Sequence, residues 1–173
     1  MEYNTSINLL TLEMCRFDAG DARRIQHFLK VHSFAKLIGN MEHLDAHMQF
    51  LTECAALVHD IGIHPAEQKY GKCDGKLQEQ EGPAYARAML THLDFDREDI
   101  DRICYLVAHH HTYRNIDGKD YQILVEADFL VNLYEDATDA HGIRSAYEKI
   151  FRTDAGKQLC RTLYSVPEKE ETE

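Results

Sequence analysis

Residues 54–62 read CAALVHDIG, an apolar helical stretch that ends in histidine, aspartate and, two residues on, glycine. Adjacent helical side chains point about 100° apart, so a His-Asp pair inside a helix seldom serves one ion. At a helix end, with Gly62 just beyond, both side chains can turn toward one point. Burial of His59 and Asp60 is costly unless they are paired or bound to a metal. The stretch predicts a polar or metal site, the alternative being a capping histidine beside a solvated aspartate.

Helical periodicity continues on both sides of this stretch. A helix is predicted at about Asp21–Asn40 and a second at about Glu42–Asp60, because apolar residues recur there every three or four positions. Weak periodicity predicts a loop from His64 to Gly82, and Pro83 suits the first turn of the helix that follows. Further helices are predicted near 96–109, 121–135, 139–150 and 154–164.

No convincing period-two strand interrupts these helices, and neither a repeat nor a domain boundary is visible. The sequence therefore predicts an all-α fold, a single compact helical domain over residues 1–166. The remaining residues, 167–173, read PEKEETE and are expected to form a disordered acidic tail.

Composition limits the partners that this chain of 173 residues can have. Its net charge of −11, from 30 acidic and 19 basic residues, argues against a nucleic acid polymer, which needs clustered Lys and Arg. Small phosphorylated substrates remain compatible, since a metal can supply positive charge locally. The N-terminus lacks a secretory pattern, no membrane span is present, and the five scattered cysteines suit reduced thiols. We therefore expect a cytoplasmic protein without membrane contacts, and self-association is left open.

Two further residues are candidate ligands. Asp128 lies inside the apolar stretch 124–131, where a carboxylate needs a partner or a shifted pKa. A surface-facing Asp128 is the alternative. His27 lies at the edge of the apolar stripe of the first helix, but His32 competes with it. Periodicity alone does not choose between them.

Three motifs together resemble the HD superfamily of metal-dependent phosphohydrolases. In its first motif the ligand histidine is followed by Val and Ala at steps of four, which here are Val31 and Ala35 after His27. The stretch 56–62, ALVHDIG, resembles the signature doublet, and residues 126–128, EAD, resemble the final ligand. The resemblance covers about residues 20–135. It implies a divalent metal held by His27, His59, Asp60 and Asp128.

The implied ligand set of two imidazoles and two carboxylates favours Mn²⁺, Fe²⁺, Co²⁺ or Ni²⁺, with Mg²⁺ and Zn²⁺ also compatible. Some HD relatives hold a second metal, and the corresponding positions here are Glu81, His110 and His111, although many relatives have His where this chain has Glu81. Asp60, Glu81 and His110 are the candidate catalytic residues. Arg114, which follows the His cluster, is the candidate phosphate-binding residue.

The resemblance implies hydrolysis of a small phosphorylated metabolite, with a nucleotide or a dinucleoside polyphosphate as the leading expectation. The alternatives are a di-iron oxygenase of the same fold and a non-catalytic metal- or ligand-binding module. His43 and His47 are expected to face solvent, because Leu44 and Met48 define the neighbouring buried stripe. His64, at the start of the predicted loop, is expected at the rim of the site.

Overall fold

The computed structural model describes residues 3–167, which form nine α-helices and no strand. The all-α class predicted from the sequence is confirmed. Residues 168–173, which hold most of the predicted acidic tail, lie outside the described part. Within residues 3–167, no helix is both long enough and apolar enough to cross a lipid bilayer. The helices are α1 (Tyr3–Phe17), α2 (Ala22–Met41), α3 (Ala46–Val58), α4 (Ile63–Tyr70), α5 (Gly75–His92), α6 (Arg97–Val107), α7 (Lys119–Glu135), α8 (Ala140–Lys149) and α9 (Asp154–Tyr164).

Three helices, α2, α3 and α7, pack against one another at the centre of the fold. All residues from 50 to 58 of α3 are buried, because that part of α3 is apolar on nearly every side. Helix α2 buries one stripe, which includes Phe28, Val31 and Ala35. Polar side chains at the edge of that stripe therefore point into the space between the three helices.

Helix α1 precedes the first helix that the sequence pattern identified. It buries Ile7, Leu10 and Met14, which are spaced three and four residues apart, and it packs against α3. Together with α6, it covers the part of α3 that α2 and α7 leave open, since buried apolar faces need a covering element.

The predicted loop from His64 to Gly82 is wrong, because this segment contains α4 and the first half of α5. Helix α5 begins at Gly75, capped by Asp74, whose side chain accepts from the backbone N of Leu77 at 3.0 Å. Pro83 lies inside α5 and not in its first turn. The first half of α5 is polar because its side chains bind other polar groups, so it shows no apolar period that sequence analysis could detect.

Two glycines allow α4 and α5 to meet at the end of the α3 stretch. A Cβ added at Gly62 would lie 2.6 Å from the carbonyl O of Gln78 and 2.8 Å from the backbone N of Gly82. A Cβ added at Gly82 would lie 2.7 Å from Val107. The turn after Asp60 therefore touches α5 backbone to backbone, which only glycine permits.

We expect Gly62→Ala to lower the free energy of unfolding by about 1–3 kcal/mol, since the added methyl must push backbone atoms apart. Gly142→Ala is the matched control, because its added Cβ would meet only side-chain atoms of Thr138 and Asp139. Urea denaturation of both variants and the wild type measures the difference. Equal stability of Gly62→Ala and wild type would show that the contact between the turn and α5 is not tight.

Candidate metal centre

Four side chains from three elements converge between α2, α3 and α7. The Nε2 atom of His27 lies 3.3 Å from His59 Nε2, 3.4 Å from Asp60 Oδ2 and 3.3 Å from Asp128 Oδ1. The Nε2 atom of His59 lies 3.4 Å from the same Asp60 oxygen and 3.5 Å from the same Asp128 oxygen. We call these four residues the cage. His27, His59 and Asp128 are buried.

The tautomers of the two cage histidines follow from what their outer nitrogens contact. His27 Nδ1 lies 3.0 Å from Glu135 Oε2, and His59 Nδ1 lies 2.9 Å from the carbonyl O of Ala56. Carbonyl and carboxylate oxygens only accept, so both Nδ1 atoms donate, and in the neutral rings both Nε2 atoms carry lone pairs. Lys30 binds the other oxygen of Glu135. Lone pairs of two imidazoles therefore face each other and two carboxylates.

Electrostatics show the same preference for positive charge inside the cage. Burial opposes protonation of His59, but the Asp60 and Asp128 carboxylates outweigh it and raise its pKa to about 9. Burial likewise opposes ionisation of Asp128, but the protonated rings of His27 and His59 can donate to it through Nε2, which holds the pKa of Asp128 below its usual range. The cage therefore favours ionised carboxylates and a positive charge between them.

The donor set fits a divalent cation. Ligand bonds of roughly 2.0–2.2 Å separate neighbouring ligand atoms by roughly 3.0–3.5 Å, which covers the spacing of the cage atoms. Mixed nitrogen and oxygen donors suit Mn²⁺, Fe²⁺, Co²⁺, Ni²⁺ and Zn²⁺. One observation also shows how the cage is kept in place: Asn132 Nδ2 donates to Asp128 Oδ1 at 2.8 Å from the next turn of α7.

A second cluster lies beside the cage and shares Asp60 with it. The Oδ1 atom of Asp60 lies 3.5 Å from His110 Nε2, and one ligand atom each of Asp60, His110 and His111 lie within 4.8 Å of one another. His110 Nδ1 lies 2.8 Å from the carbonyl O of Val107 at the end of α6 and donates to it. The bond that caps α6 therefore also turns the lone pair of His110 toward Asp60.

Gln78, on the first half of α5, faces both histidines of this cluster. Its Oε1 atom lies 3.3 Å from His110 Nε2 and 2.5 Å from His111 Nε2. Burial and the nearby His110 lower the pKa of His111 to about 4. A neutral amide from α5 thus completes the cluster.

Glu81 is not part of this cluster, contrary to the expectation that it would join His110 and His111. Its carboxylate accepts from Lys69 Nζ at 3.0 Å and from the Tyr70 hydroxyl at 2.8 Å. Helix α5 begins at Gly75 and therefore contains both Gln78 and Gly82. Gln78 lies one helical turn before Gly82, on the face of α5 that packs toward the cage. Glu81 lies to the side, over the end of α4.

A cavity of about 490 Å³ opens beside the cage. Arg114, expected there as a phosphate-binding residue, is exposed and does not line it. Two other arginines, Arg23 and Arg24 of α2, do line it. Arg23 precedes His27 by four residues and therefore lies on the same face of α2, and this spacing could have identified it from the sequence. His27, Asp60, Gln78 and His111 also line the cavity.

The other candidate histidines of the sequence lie away from the cage. His32 Nε2 lies 2.9 Å from Glu53, and His47 Nε2 lies 2.7 Å from Asp99. His43 is exposed. His64 is the first-turn residue of α4 and lies 3.2 Å from Asp18, beside Arg24. The motif spacing selected His27 rather than His32 as the ligand, and His27 is the histidine of α2 that reaches the cage.

Two orienting residues were missed by the sequence analysis. Glu135 fixes His27, and Asn132 contacts Asp128. They lie seven and four residues after Asp128, on the same face of α7. That spacing is the signal that could have identified them.

Comparisons with known proteins agree on one family. The HD domain family model matches residues 24–145, a range that contains the whole cage and the His110–His111 pair. A crystal structure of a predicted HD superfamily hydrolase from an uncultured Thermotogales bacterium is similar, with a TM-score of 0.62 and 25% identity. That match covers 94% of this chain and 84% of the other chain. No curated protein matches the chain.

We expect His27→Ala, His59→Ala and Asp128→Ala each to lose tightly bound Mn²⁺, because each removes a donor from the cage. The loss of affinity should exceed the roughly 10- to 100-fold that outer partners of metal ligands contribute. His47→Ala is the control, since this side chain is 54% exposed and binds Asp99. Calorimetric titration measures affinity, with circular dichroism as a check on folding.

The opposite pattern would contradict the register of α2. If His32→Ala abolished Mn²⁺ binding in a folded protein while His27→Ala retained it, the proposed cage would be wrong.

Proposed function

The chain belongs to the HD domain family, and we propose that it is a metal-dependent phosphohydrolase of a small phosphorylated metabolite. One observation carries the proposal. Two imidazole lone pairs and two carboxylates face one another at 3.3–3.5 Å beside an open cavity. Such an arrangement is stable with a cation between the donors, and the cavity lets a substrate reach it.

His27, His59, Asp60 and Asp128 would hold the cation. When bound, it supplies a Lewis acid for a phosphoryl oxygen and lowers the pKa of a coordinated water from 15.7 to about 7. Mn²⁺, Fe²⁺, Co²⁺ and Ni²⁺ suit the donor set, and Mg²⁺ and Zn²⁺ are also compatible.

Asp60 is positioned to connect the cage with the second cluster. Its Oδ2 atom faces His27 and His59, and its Oδ1 atom lies 3.5 Å from His110 Nε2. In this proposal Asp60 orients the attacking water. His110 exchanges a proton with the reacting oxygens, a contribution that is typically 10²- to 10⁴-fold. The water oxygen bonds to phosphorus and gives a proton to His110, the bond to the leaving oxygen breaks, and the leaving oxygen receives a proton from His110.

The lining of the cavity supports water as the nucleophile. Among the described residues, its walls include no serine, threonine or cysteine. Covalent catalysis needs such a group, or another nucleophile, next to an activating base. The two histidines that line the cavity, His27 and His111, belong to the cage and to the second cluster.

The di-iron oxygenase alternative receives less support from the second cluster. A second iron there would find two imidazoles and one oxygen of Asp60, with the neutral Gln78 amide in place of an anionic or imidazole ligand. Amide oxygen is a weaker donor for such metals. We therefore favour hydrolysis.

We expect hydrolysis to stop when the metal is chelated and to return when Mn²⁺ is added back. In ¹⁸O-labelled water, a single turnover should place the label in the released phosphate, because the water attacks phosphorus directly. Mass spectrometry of the phosphate measures this. His47→Ala, whose side chain lies away from the cage, should behave as the wild type in both experiments.

Two results would count against this function. Unlabelled phosphate in the first turnover would show that water does not attack phosphorus in the step that releases phosphate. Full activity after thorough chelation would remove the metal from the mechanism.

A further inference from the structure

The walls of the cavity carry more negative than positive charge. Five carboxylates and two guanidinium groups line it, a net charge of −3 with the histidines neutral. A divalent cation in the cage would reduce this to −1. A substrate with many negative charges is therefore opposed by the cavity, even though one phosphate group is attracted to the cage.

One of the two arginines is already committed to the protein. The Arg24 guanidinium donates to Glu67 Oε1 at 2.7 Å and lies 3.4 Å from Asp21 Oδ2. It also contacts the ring of His64. These bonds tie α2 to α4 and leave Arg24 little capacity for a substrate.

Arg23 differs from its neighbour. It is exposed at the cavity wall, and within residues 3–167 it forms no hydrogen bond or ion pair. It lies one helical turn before His27 on α2, on the same face. Its guanidinium is therefore available, next to the cage, for the planar bidentate recognition of a phosphate group.

The part of the wall that α7 forms offers acceptors. Asp128, Asn132 and Asp136 follow one another at steps of four at the end of α7, and all three line the cavity. Asn132 donates its Nδ2 to Asp128, so its Oδ1 can accept. The Asp136 carboxylate is exposed and has no partner within the described residues. This wall suits hydroxyl or amine donors and repels a second phosphate.

We propose that the cavity selects phosphate monoesters with a single phosphate group and a hydroxylated organic part, such as a sugar or nucleoside. Arg23 binds the phosphate beside the cage, and Asn132 and Asp136 accept from hydroxyl groups of the organic part. The inference rests on the proposed function. It narrows the expected substrates to monophosphates, since the additional phosphates of a dinucleoside polyphosphate would face Asp136.

Binding of inorganic phosphate tests the role of Arg23 without catalysis. In a calorimetric titration of the Mn²⁺-loaded protein, Arg23→Gln should lower the affinity for inorganic phosphate at least tenfold. Arg97→Gln, an exposed arginine on α6 that does not line the cavity, should leave the affinity unchanged. Equal phosphate affinity of Arg23→Gln and wild type would overturn the assignment.

Selection against a second phosphate is tested with adenosine 5′-monophosphate and adenosine 5′-diphosphate at constant free Mn²⁺. We expect kcat/KM to favour the monophosphate at least tenfold and Asp136→Asn to narrow that ratio at least threefold. Equal or better use of the diphosphate by the wild type would overturn the inference.

The outcome also separates the inference from the function on which it rests. If neither nucleotide were hydrolysed, calorimetric Kd values for the two nucleotides would replace kcat/KM. Tighter, Arg23-dependent binding of the monophosphate would then support the subsite and count only against hydrolysis of these two nucleotides. Tighter binding of the diphosphate would overturn the subsite.

Discussion

The mutual repulsion of electron pairs inside the cage is the constraint on which the rest of the structure depends. His27 and His59 each donate through Nδ1 to an oxygen, so their Nε2 lone pairs meet at 3.3 Å, next to two carboxylates. In a buried site such an arrangement is costly unless a proton or a metal cation lies among the donors. Cation binding and stability of the fold are therefore linked, because a cation that binds only the folded state stabilises it.

The fold can be understood as the support for this cage. The ligands come from α2, from α7 and from the end of α3 with the turn after it, and the apolar faces of the three helices pack together to form the core. Gly62 and Gly82 let α5 approach the turn that carries Asp60, which brings Gln78 opposite His110 and His111. The C-terminal end of α6 orients His110 through its own capping bond. The charged side chains are also arranged around the cage. Carboxylates surround it, and Arg23 supplies an available cation at its edge.

The sequence predicted those parts whose signal is a local pattern. Apolar periodicity identified α2, α3 and α7, and the three motifs selected the four residues that the structure brings together. Prediction failed where polar contacts hold a helix. The first half of α5 has few apolar residues because Gln78, Glu79 and Glu81 bind groups on other elements, so it was predicted as a loop. The correspondence to a family position predicted Glu81 at the second cluster, and because the start of α5 was not predicted, the helix face on which Glu81 lies could not be assigned.

Anomalous diffraction from a crystal of the Mn²⁺-loaded protein tests the central claim most directly. We predict one strong peak within bonding distance, about 2.0–2.4 Å, of His27 Nε2, His59 Nε2, Asp60 Oδ2 and Asp128 Oδ1. Any weaker peak should lie between Asp60 and His110. A strong peak at another place, or a Mn²⁺-saturated protein whose cage shows no peak, would contradict the account.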